Sequence, residues 1–406
     1  MMYLDMDYYH KYRKYKYRYL RLKQNKLIQY AGENIITTEE NPQSQHKTMA
    51  DANNSFTINM FDNLDGASNL FSPISITYAL SLIHLAALGN TDNQLTKLFN
   101  YKYSVDDLEQ IYKLFNNNVI QMTNLLLVNN KYKINKVYVD MISGLVRVID
   151  ADFSNSALIV HKINNFIENK TNGLIKNLVD ENDIDASMIL VLINTIYFKA
   201  SWQHKFDPDN TTKMKFHKTN LVDMMHQINY FNYFENSTVQ AIEILYKKNA
   251  YAMGVILPKR YLQEDEIDYS TNDVPLIPIS ETNEIINNMA YTRIDLYLPK
   301  FTQRKNLELV PVLIKMGVTD LFNHRADLTI AVKDAFISKI IHESVVIVDE
   351  FGTEAAAATV VMGKITAMPP HAEPEPILFK ADHAFVYYIR HLESGMFLFY
   401  GDYQGN

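Results

Sequence analysis

The sequence of residues 348–376 is VDEFGTEAAAATVVMGKITAMPPHAEPEP, and it connects two apolar runs typical of strands, at residues 345–348 and 385–389. The stretch is long, and its run of small residues has neither the bulk of a core nor the polarity of an ordinary loop. Long connections without secondary structure of their own usually carry function. We therefore expect this stretch to hold the functional part of the chain.

Laid out as a strand, the stretch has one face without charge. The side chains on that face are Thr353, Ala355, Ala357, Thr359, Val361, Gly363 and Ile365. Residues 353–366 contain two ionised side chains, Glu354 and Lys364, and both fall on the other face. A face that becomes buried cannot carry an unpaired charge, whereas an exposed loop needs no such pattern. The pattern predicts a segment that is a loop in one state and a sheet strand in another.

The remainder of the chain predicts an α+β domain, with helices early and strands late. Phe56, Met60, Phe61 and Leu64 recur at helical spacing, which predicts an amphipathic helix. A second, buried helix is predicted over residues 75–88, begun by Ser72 and Pro73 and ended by Gly89. Strands are predicted at residues 188–193, 294–298, 345–348, 385–389 and 396–400.

Composition excludes several classes of protein. The chain has 406 residues, of which 47% are hydrophobic and 21% charged, so it can bury a sizeable core. Because there is no Cys, disulfides, thiolate nucleophiles and Cys-type zinc sites are excluded. No nucleophile elbow, phosphate loop or zincin motif is present, and we expect no enzyme activity, no cofactor and no metal. The net charge of −7 disfavours nucleic acid as the main partner.

The N-terminal part differs from the average, because residues 1–30 hold eight Lys and Arg, eight Tyr and two Asp. We expect residues 1–48 to be a disordered basic extension and linker, and residues 49–406 to be the folded domain. The extension has either no specific role or a weak contact with an anionic surface or nucleic acid through residues 1–30. Without a secretory signal or a membrane-spanning run, an intracellular or non-classically released protein is favoured over a secreted one.

Motifs along residues 50–403 resemble those of the serpin family, and they occur in the same order. Residues 350–359, EFGTEAAAAT, look like the hinge of inhibitory serpins. Further similar segments are FSPIS (71–75), LAALGNT (85–91), INTIYFKASW (193–202), LPKF (298–301) and FKADHAF (379–385). So many collinear matches make the resemblance specific to this fold.

The resemblance implies a serpin fold, in which helices surround a large, mostly antiparallel central sheet and smaller sheets, with an exposed reactive-centre loop. It implies a suicide inhibitor whose cleaved loop inserts into the central sheet. The implied partner is a serine protease, held as a covalent acyl complex, and the implied inhibitor is a monomer that tends to form loop–sheet polymers. A cysteine-protease inhibitor and a non-inhibitory binding or carrier serpin are the alternatives.

The resemblance also implies roles for individual residues. The hinge, where insertion begins, matches Glu350, Gly352, Thr353, Glu354, Ala355, Ala356, Ala357, Ala358 and Thr359. The shutter, where polar side chains under the sheet permit strand separation, matches Ser72, Ser75, Asn194 and His342. The breach, at the end of the sheet where the hinge enters, matches Trp202.

Two positions of the reactive bond remain open. The family's usual spacing from Glu350 places the bond between Thr366 and Ala367, which suits a protease with a small or medium apolar pocket. The chemistry of a trypsin-like pocket favours Lys364–Ile365 instead, because Lys364 is the one basic residue of the stretch. The family's spacing favours the bond between Thr366 and Ala367.

Overall fold

The computed structural model describes residues 42–66, 68–217, 220–248, 250–259, 281–353 and 375–405, with side chains from Met49 onward. Within these ranges the α-helices are α1 (Pro42–Asn63), α2 (Pro73–His84), α3 (Gly89–Phe99), α4 (Val105–Phe115), α5 (Lys136–Met141), α6 (Ser156–Lys170), α7 (Thr282–Asn287) and α8 (Val310–Lys315). Short 3₁₀ turns occupy Glu181–Asp183, Pro208–Asn210 and Asp320–Phe322.

The strands form two sheets. They are β1 (Leu70–Phe71), β2 (Ile120–Asn129), β3 (Arg147–Ala151), β4 (Leu190–Phe198), β5 (Ala200–Ser201), β6 (Thr212–Phe216), β7 (Asn220–Glu235), β8 (Val239–Leu245), β9 (Tyr251–Pro258), β10 (Ala290–Pro299), β11 (Phe301–Glu308), β12 (Ile337–Asp349), β13 (Gly352–Thr353), β14 (Ile377–Lys380), β15 (Phe385–His391) and β16 (Phe397–Tyr403). The predicted strands are all present, and the one predicted at residues 188–193 extends to Phe198.

A seven-stranded sheet has the order β3-β2-β4-β12-β13-β5, with β11 on the other side of β12. Most of its pairings are antiparallel, but β4 and β12 are direct parallel neighbours, from Leu190 opposite Ile337 to Tyr197 opposite Val345. The other sheet has nine strands, in the order β1-β16-β15-β9-β8-β7-β10-β14, with β6 on β7. Helices and mixed sheets together confirm the α+β fold class.

Helix α2 is buried along its whole length, as its apolar sequence predicts, and it contacts β4 and β16 of the two sheets. Ser72 caps it by accepting a hydrogen bond from the backbone N–H of Ser75. The predicted end at Leu88 is wrong, because the helix ends at His84. The N–H of Leu88 donates to the carbonyl of Asp327, outside the helix, and Gly89, with φ of +55°, opens α3.

Helix α6 covers the opposite face of the seven-stranded sheet. Ile159, Ile163 and Ile167 of the helix are buried, and they form one apolar cluster with Leu125, Leu127, Val191, Ile193, Ile341 and Val345 of the sheet. These sheet residues come from β2, β4 and β12, and of these strands α6 contacts β2 most. Ile175, Leu178, Val179 and Ile184, which follow α6 in the chain, belong to the same cluster.

Helix α1 begins at Pro42, so residues 42–48 are helical, whereas residues 1–48 are predicted to be a disordered extension and linker. Its apolar face follows the predicted spacing, because Phe56, Met60 and Phe61 are buried. In the part of the chain that the structure describes, no helix combines the length and apolar character required to cross a membrane.

Candidate functional site

The predicted hinge begins inside the seven-stranded sheet. Strand β13 lies between β12 and β5 and is antiparallel to both. Thr353 stands opposite Val348 on one side and Ala200 on the other, while Gly352 stands opposite Asp349 and Ser201. Past the end of β13, from Val345 back to Ile337, β12 pairs directly with β4. The sheet is therefore open at one end, and Gly352 and Thr353 of the predicted hinge already occupy the opening.

Gly352 is required by the closeness of β5. A Cβ atom at this position would lie 2.1 Å from the carbonyl oxygen of Ala200 and 2.6 Å from Cα of Ser201. Its φ of +151° is also a backbone conformation that residues other than glycine rarely adopt. Both observations explain why the chain has a glycine where it turns from β12 into β13.

An aromatic pair contacts β13 and the turn that precedes it. The ring of Trp202 stacks on that of Tyr246, with centroids 4.5 Å apart and planes at 15°. The Trp202 indole N–H donates to the carbonyl of Asp349 at 2.8 Å. The hydroxyl group of Tyr246 lies 2.5 Å from Oγ1 of Thr353. The predicted breach residue therefore contacts the turn that starts the hinge, and Tyr246, which the sequence did not single out, contacts the hinge itself.

Side chains of the β12–β13 turn fix its shape. The carboxylate of Asp349 accepts hydrogen bonds from the backbone N–H groups of Phe351, at 2.8 Å, and Gly352, at 3.1 Å. Glu350 is buried and accepts hydrogen bonds from Lys300 and Thr211, each at 2.9 Å. Burial alone would raise the pKa of Glu350, but these hydrogen bonds hold that pKa below its ordinary value. The carboxylate is thus kept ionised beside the hinge.

The four predicted shutter residues lie together beneath the same sheet. His342 Nδ1 is 2.6 Å from Asn194 Oδ1, and the oxygen of Ser75 is 2.9 Å from the same atom. The backbone N–H of Ser72 donates to His342 Nε2 at 3.0 Å. A fifth residue, Asn124, accepts a hydrogen bond of 2.6 Å from the amide of Asn194. The cluster joins α2 and its cap to strands β2, β4 and β12.

Strand register places the polar side chains of this cluster in one row. Asn124 stands opposite Asn194 in the β2–β4 pair, and Asn194 stands opposite His342 in the β4–β12 pair. Because Nε2 of His342 accepts from the Ser72 N–H, Nδ1 carries the proton and donates to Asn194. Burial lowers the pKa of His342 to about 3, so the imidazole is neutral and its tautomer is fixed by its neighbours.

The structure therefore brings together Ser72, Ser75, Asn194 and His342, and separately Trp202, Glu350, Gly352 and Thr353. The remaining predicted hinge residues, from Glu354 to Thr359, and both versions of the reactive bond lie outside the described residues, as do residues 1–41. Four further residues of these clusters, Asn124, Tyr246, Lys300 and Thr211, are not among the predicted site residues. An asparagine within the apolar run of β2 was the available signal for Asn124.

Comparisons with known proteins agree with this geometry. Residues 51–404 match the family model described as Serpin (serine protease inhibitor). An uncharacterized serpin-like protein of Acanthamoeba polyphaga mimivirus is 50% identical over 98% of this chain and 100% of its own length. Neuroserpin of Mus musculus is 30% identical over 85% of this chain and 89% of its own.

Solved structures show the same fold. Serpin48 of the insect Tenebrio molitor is similar with a TM-score of 0.75 at 25% identity, covering 89% of this chain and 99% of that one. Native protease nexin-1, solved with heparin, is similar with a TM-score of 0.76 at 25% identity, covering 90% of this chain and 100% of that one. The chain therefore belongs to the serpin family.

Proposed function

We propose that this protein inhibits a serine protease by suicide trapping, with its cleaved reactive loop inserted into the seven-stranded sheet. Proteins of the serpin family are mostly protease inhibitors and not catalysts. The observation that carries the proposal is the position of Gly352 and Thr353, which already pair as a strand between β12 and β5. A loop that starts in the opening needs only to continue along it.

The path of insertion follows from the register. Residues after Thr353 would extend β13 between β4 and β12, antiparallel to both, by separating the pairs that now join these two strands. Each inserted residue gains backbone hydrogen bonds, and the uncharged face becomes buried without an unpaired charge. At about 3.3 Å per residue, an arm of about 15 residues spans roughly 50 Å, which carries an attached protease to the far end of the sheet.

The separation of β4 from β12 breaks one buried contact in particular. The hydrogen bond from His342 Nδ1 to Asn194 Oδ1 crosses the junction between the two strands. Ser75 offers Asn194 a partner that does not depend on β12, and Ser344, 2.7 Å from His342 Nε2, remains a partner of that nitrogen. The Nδ1–H of His342 loses its acceptor when the strands part, so this bond favours the closed sheet, while the partners that Asn194 and Nε2 keep limit the cost of opening.

In the proposed reaction the protease's serine oxygen attacks the carbonyl carbon of Thr366. The bond between Thr366 and Ala367 breaks, the new amine of Ala367 leaves with a proton, and an ester joins the two proteins. Insertion then pulls the ester away from the protease's oxyanion hole before water can hydrolyse it. Cleavage at Lys364–Ile365 would use the same steps with an arm shorter by two residues.

Incubation with a panel of serine and cysteine proteases, followed by denaturing electrophoresis, tests the proposal. We expect a stable band at the summed mass of inhibitor and protease, and sequencing of the released fragment then gives the reactive bond. Cleavage within residues 354–374 without any such band would assign the chain to the non-inhibitory serpins and overturn the proposal.

A further inference from the structure

A polar cleft of about 730 Å³ opens at the side of the seven-stranded sheet, beside β2. Its walls are the turn after α4, the first half of β2, the turn before β3 and the end of α6. Strand β3 pairs with β2 only from Leu125 onward, so residues 120–124 of β2 have β4 as their one strand neighbour among the described residues. The cleft occupies the space beside this unpaired edge.

The charge of the cleft differs from that of the chain. The protein as a whole has a net charge of −7, yet the residues that line the cleft include Arg147 and Lys170 and no Asp or Glu. Within the described ranges, neither cation forms an ion pair with a carboxylate. Two unneutralised cations at one cleft, without a carboxylate in its walls, favour an anionic ligand.

One aromatic ring positions both cations. The guanidinium carbon of Arg147 lies 4.4 Å from the centroid of Phe166, and Nζ of Lys170 lies 5.8 Å from it. Stacking on a ring orients the guanidinium group and leaves its N–H donors available for an oxyanion. Arg147 comes from β3 and Lys170 from α6, so a ligand bound to both would bridge two walls of the cleft.

Most of the other polar side chains of the lining are neutral amides, which both donate and accept hydrogen bonds, and the rest are the hydroxyl groups of Tyr112 and Thr123. The amide of Asn117 is bonded within its own turn, which leaves Asn116, Asn118, Gln121, Asn124, Asn169 and Asn172. Amides suit hydroxyl groups, which also donate and accept, whereas the two cations suit phosphate oxygens. From this combination we propose that the cleft binds a small hydroxylated phosphate ester, of the sugar-phosphate class.

The site would be connected to the polar row under the sheet. Asn124, in the wall of the cleft, also accepts the hydrogen bond from Asn194. A ligand that bridges β2, β3 and α6 would therefore brace the strand next to the junction that must open. Because it would bind the folded protein and not the unfolded chain, it would raise the melting temperature of the uncleaved protein.

Isothermal titration calorimetry and thermal melting of the full chain test this site, with glucose 6-phosphate, inorganic phosphate and glucose as probes. We expect glucose 6-phosphate to bind at a single site, with higher affinity than inorganic phosphate, and to raise the melting temperature of the protein. Glucose alone should give no heat of binding. The variant with both Arg147→Gln and Lys170→Gln should bind at least about tenfold more weakly, because charge-assisted hydrogen bonds are lost. Lys162→Gln, on the same helix but outside the cleft, should bind as the unmodified protein does.

Three results would overturn the proposal. The first is the absence of binding of both glucose 6-phosphate and inorganic phosphate at concentrations up to roughly 10 mM. The second is equal affinity in the double variant and the unmodified protein, provided that the two melt at the same temperature without ligand. The third is inorganic phosphate binding as tightly as glucose 6-phosphate, which would leave the amides without a role. None of these results depends on protease inhibition.

Discussion

The hydroxyl oxygen of Tyr246 lies 2.5 Å from Oγ1 of Thr353, and both side chains are buried. The contact joins the last described residue of the hinge to a residue 107 positions away in the chain. The ring of Tyr246 is in turn stacked on Trp202. In the proposed mechanism, insertion would start from a residue, Thr353, whose side chain already has a polar partner inside the sheet.

Removing either hydroxyl group of this pair should weaken the seated hinge. We expect Tyr246→Phe and Thr353→Val each to destabilise the uncleaved protein by about 1 kcal/mol, because each leaves a buried hydroxyl group without its partner. The double variant should cost less than the sum of the two. Denaturant unfolding of all four proteins measures this coupling. Strict additivity would show that the two hydroxyl groups do not interact.

The glycine at the start of β13 should be irreplaceable. A Cβ atom on Gly352 would contact backbone atoms of Ala200 and Ser201, which cannot move aside as a flexible side chain can. We expect Gly352→Ala to expel the hinge, so that backbone amide exchange at Thr353 becomes fast. Gly317→Ala is the matched control, because Gly317 also has a positive φ, +92°, but has open space around it. Slow exchange at Thr353 in the Gly352 variant would contradict the seated position.

A charge on the inserting face should convert the inhibitor into a substrate. Thr353→Arg places a cation at a fully buried position where the side chain's partner is the hydroxyl group of Tyr246, so insertion should stop after cleavage. The measurement is the ratio of covalent complex to cleaved inhibitor on a denaturing gel, and we expect the complex to disappear. Glu354→Arg, predicted to lie on the opposite face, should retain it. Unchanged complex formation in Thr353→Arg would show that the face is not buried during inhibition.

Acid should destabilise the closed sheet through His342. Its pKa is about 3 in the folded protein against 6.5 for an exposed imidazole, so below pH 6.5 the unfolded chain binds the proton more readily. Stability contributed by the neutral imidazole is complete above pH 6.5 and is lost as pH falls from there towards 3, by up to about 1.4 kcal/mol per pH unit.

The matched experiment compares the unmodified protein with His342→Gln over this pH range. Burial raises the pKa values of Glu343, Asp349 and Asp402, and these carboxyls act in the opposite direction in both proteins. The difference between the two stability curves isolates the imidazole, and it should decline as pH falls. A difference that stays constant between pH 6.5 and pH 4 would show that His342 does not resist protonation.

The sequence predicted the helices and strands better than it predicted which distant residues contact each other. The apolar run at residues 188–193 predicts a strand because both of its faces are buried in one sheet, which is a local property. The end of α2 was placed incorrectly because Gly89, taken as a stop, begins the next helix, and the contact of Leu88 with Asp327 joins distant parts of the chain. Local patterns carry no information about such contacts.

The same limit applies to the candidate site. The resemblance to the serpin family indicated His342 and Asn194. Asn124 lies beside them because of the register between β2 and β4. The apolar pattern of β2 does not show which residue of β4 stands opposite Asn124. Tyr246 was indistinguishable in sequence from other tyrosines of the chain. Its partners, Thr353 and Trp202, are brought to it by the folding of both sheets.

We infer that β13 is the start of a strand that can extend between β4 and β12. The melting temperature of the protein, measured before and after a single cleavage within residues 354–374, tests this inference. We expect a rise of at least about 10 °C, because the inserted strand adds backbone hydrogen bonds and buried area along the sheet. An unchanged or lower melting temperature of the cleaved protein would contradict insertion.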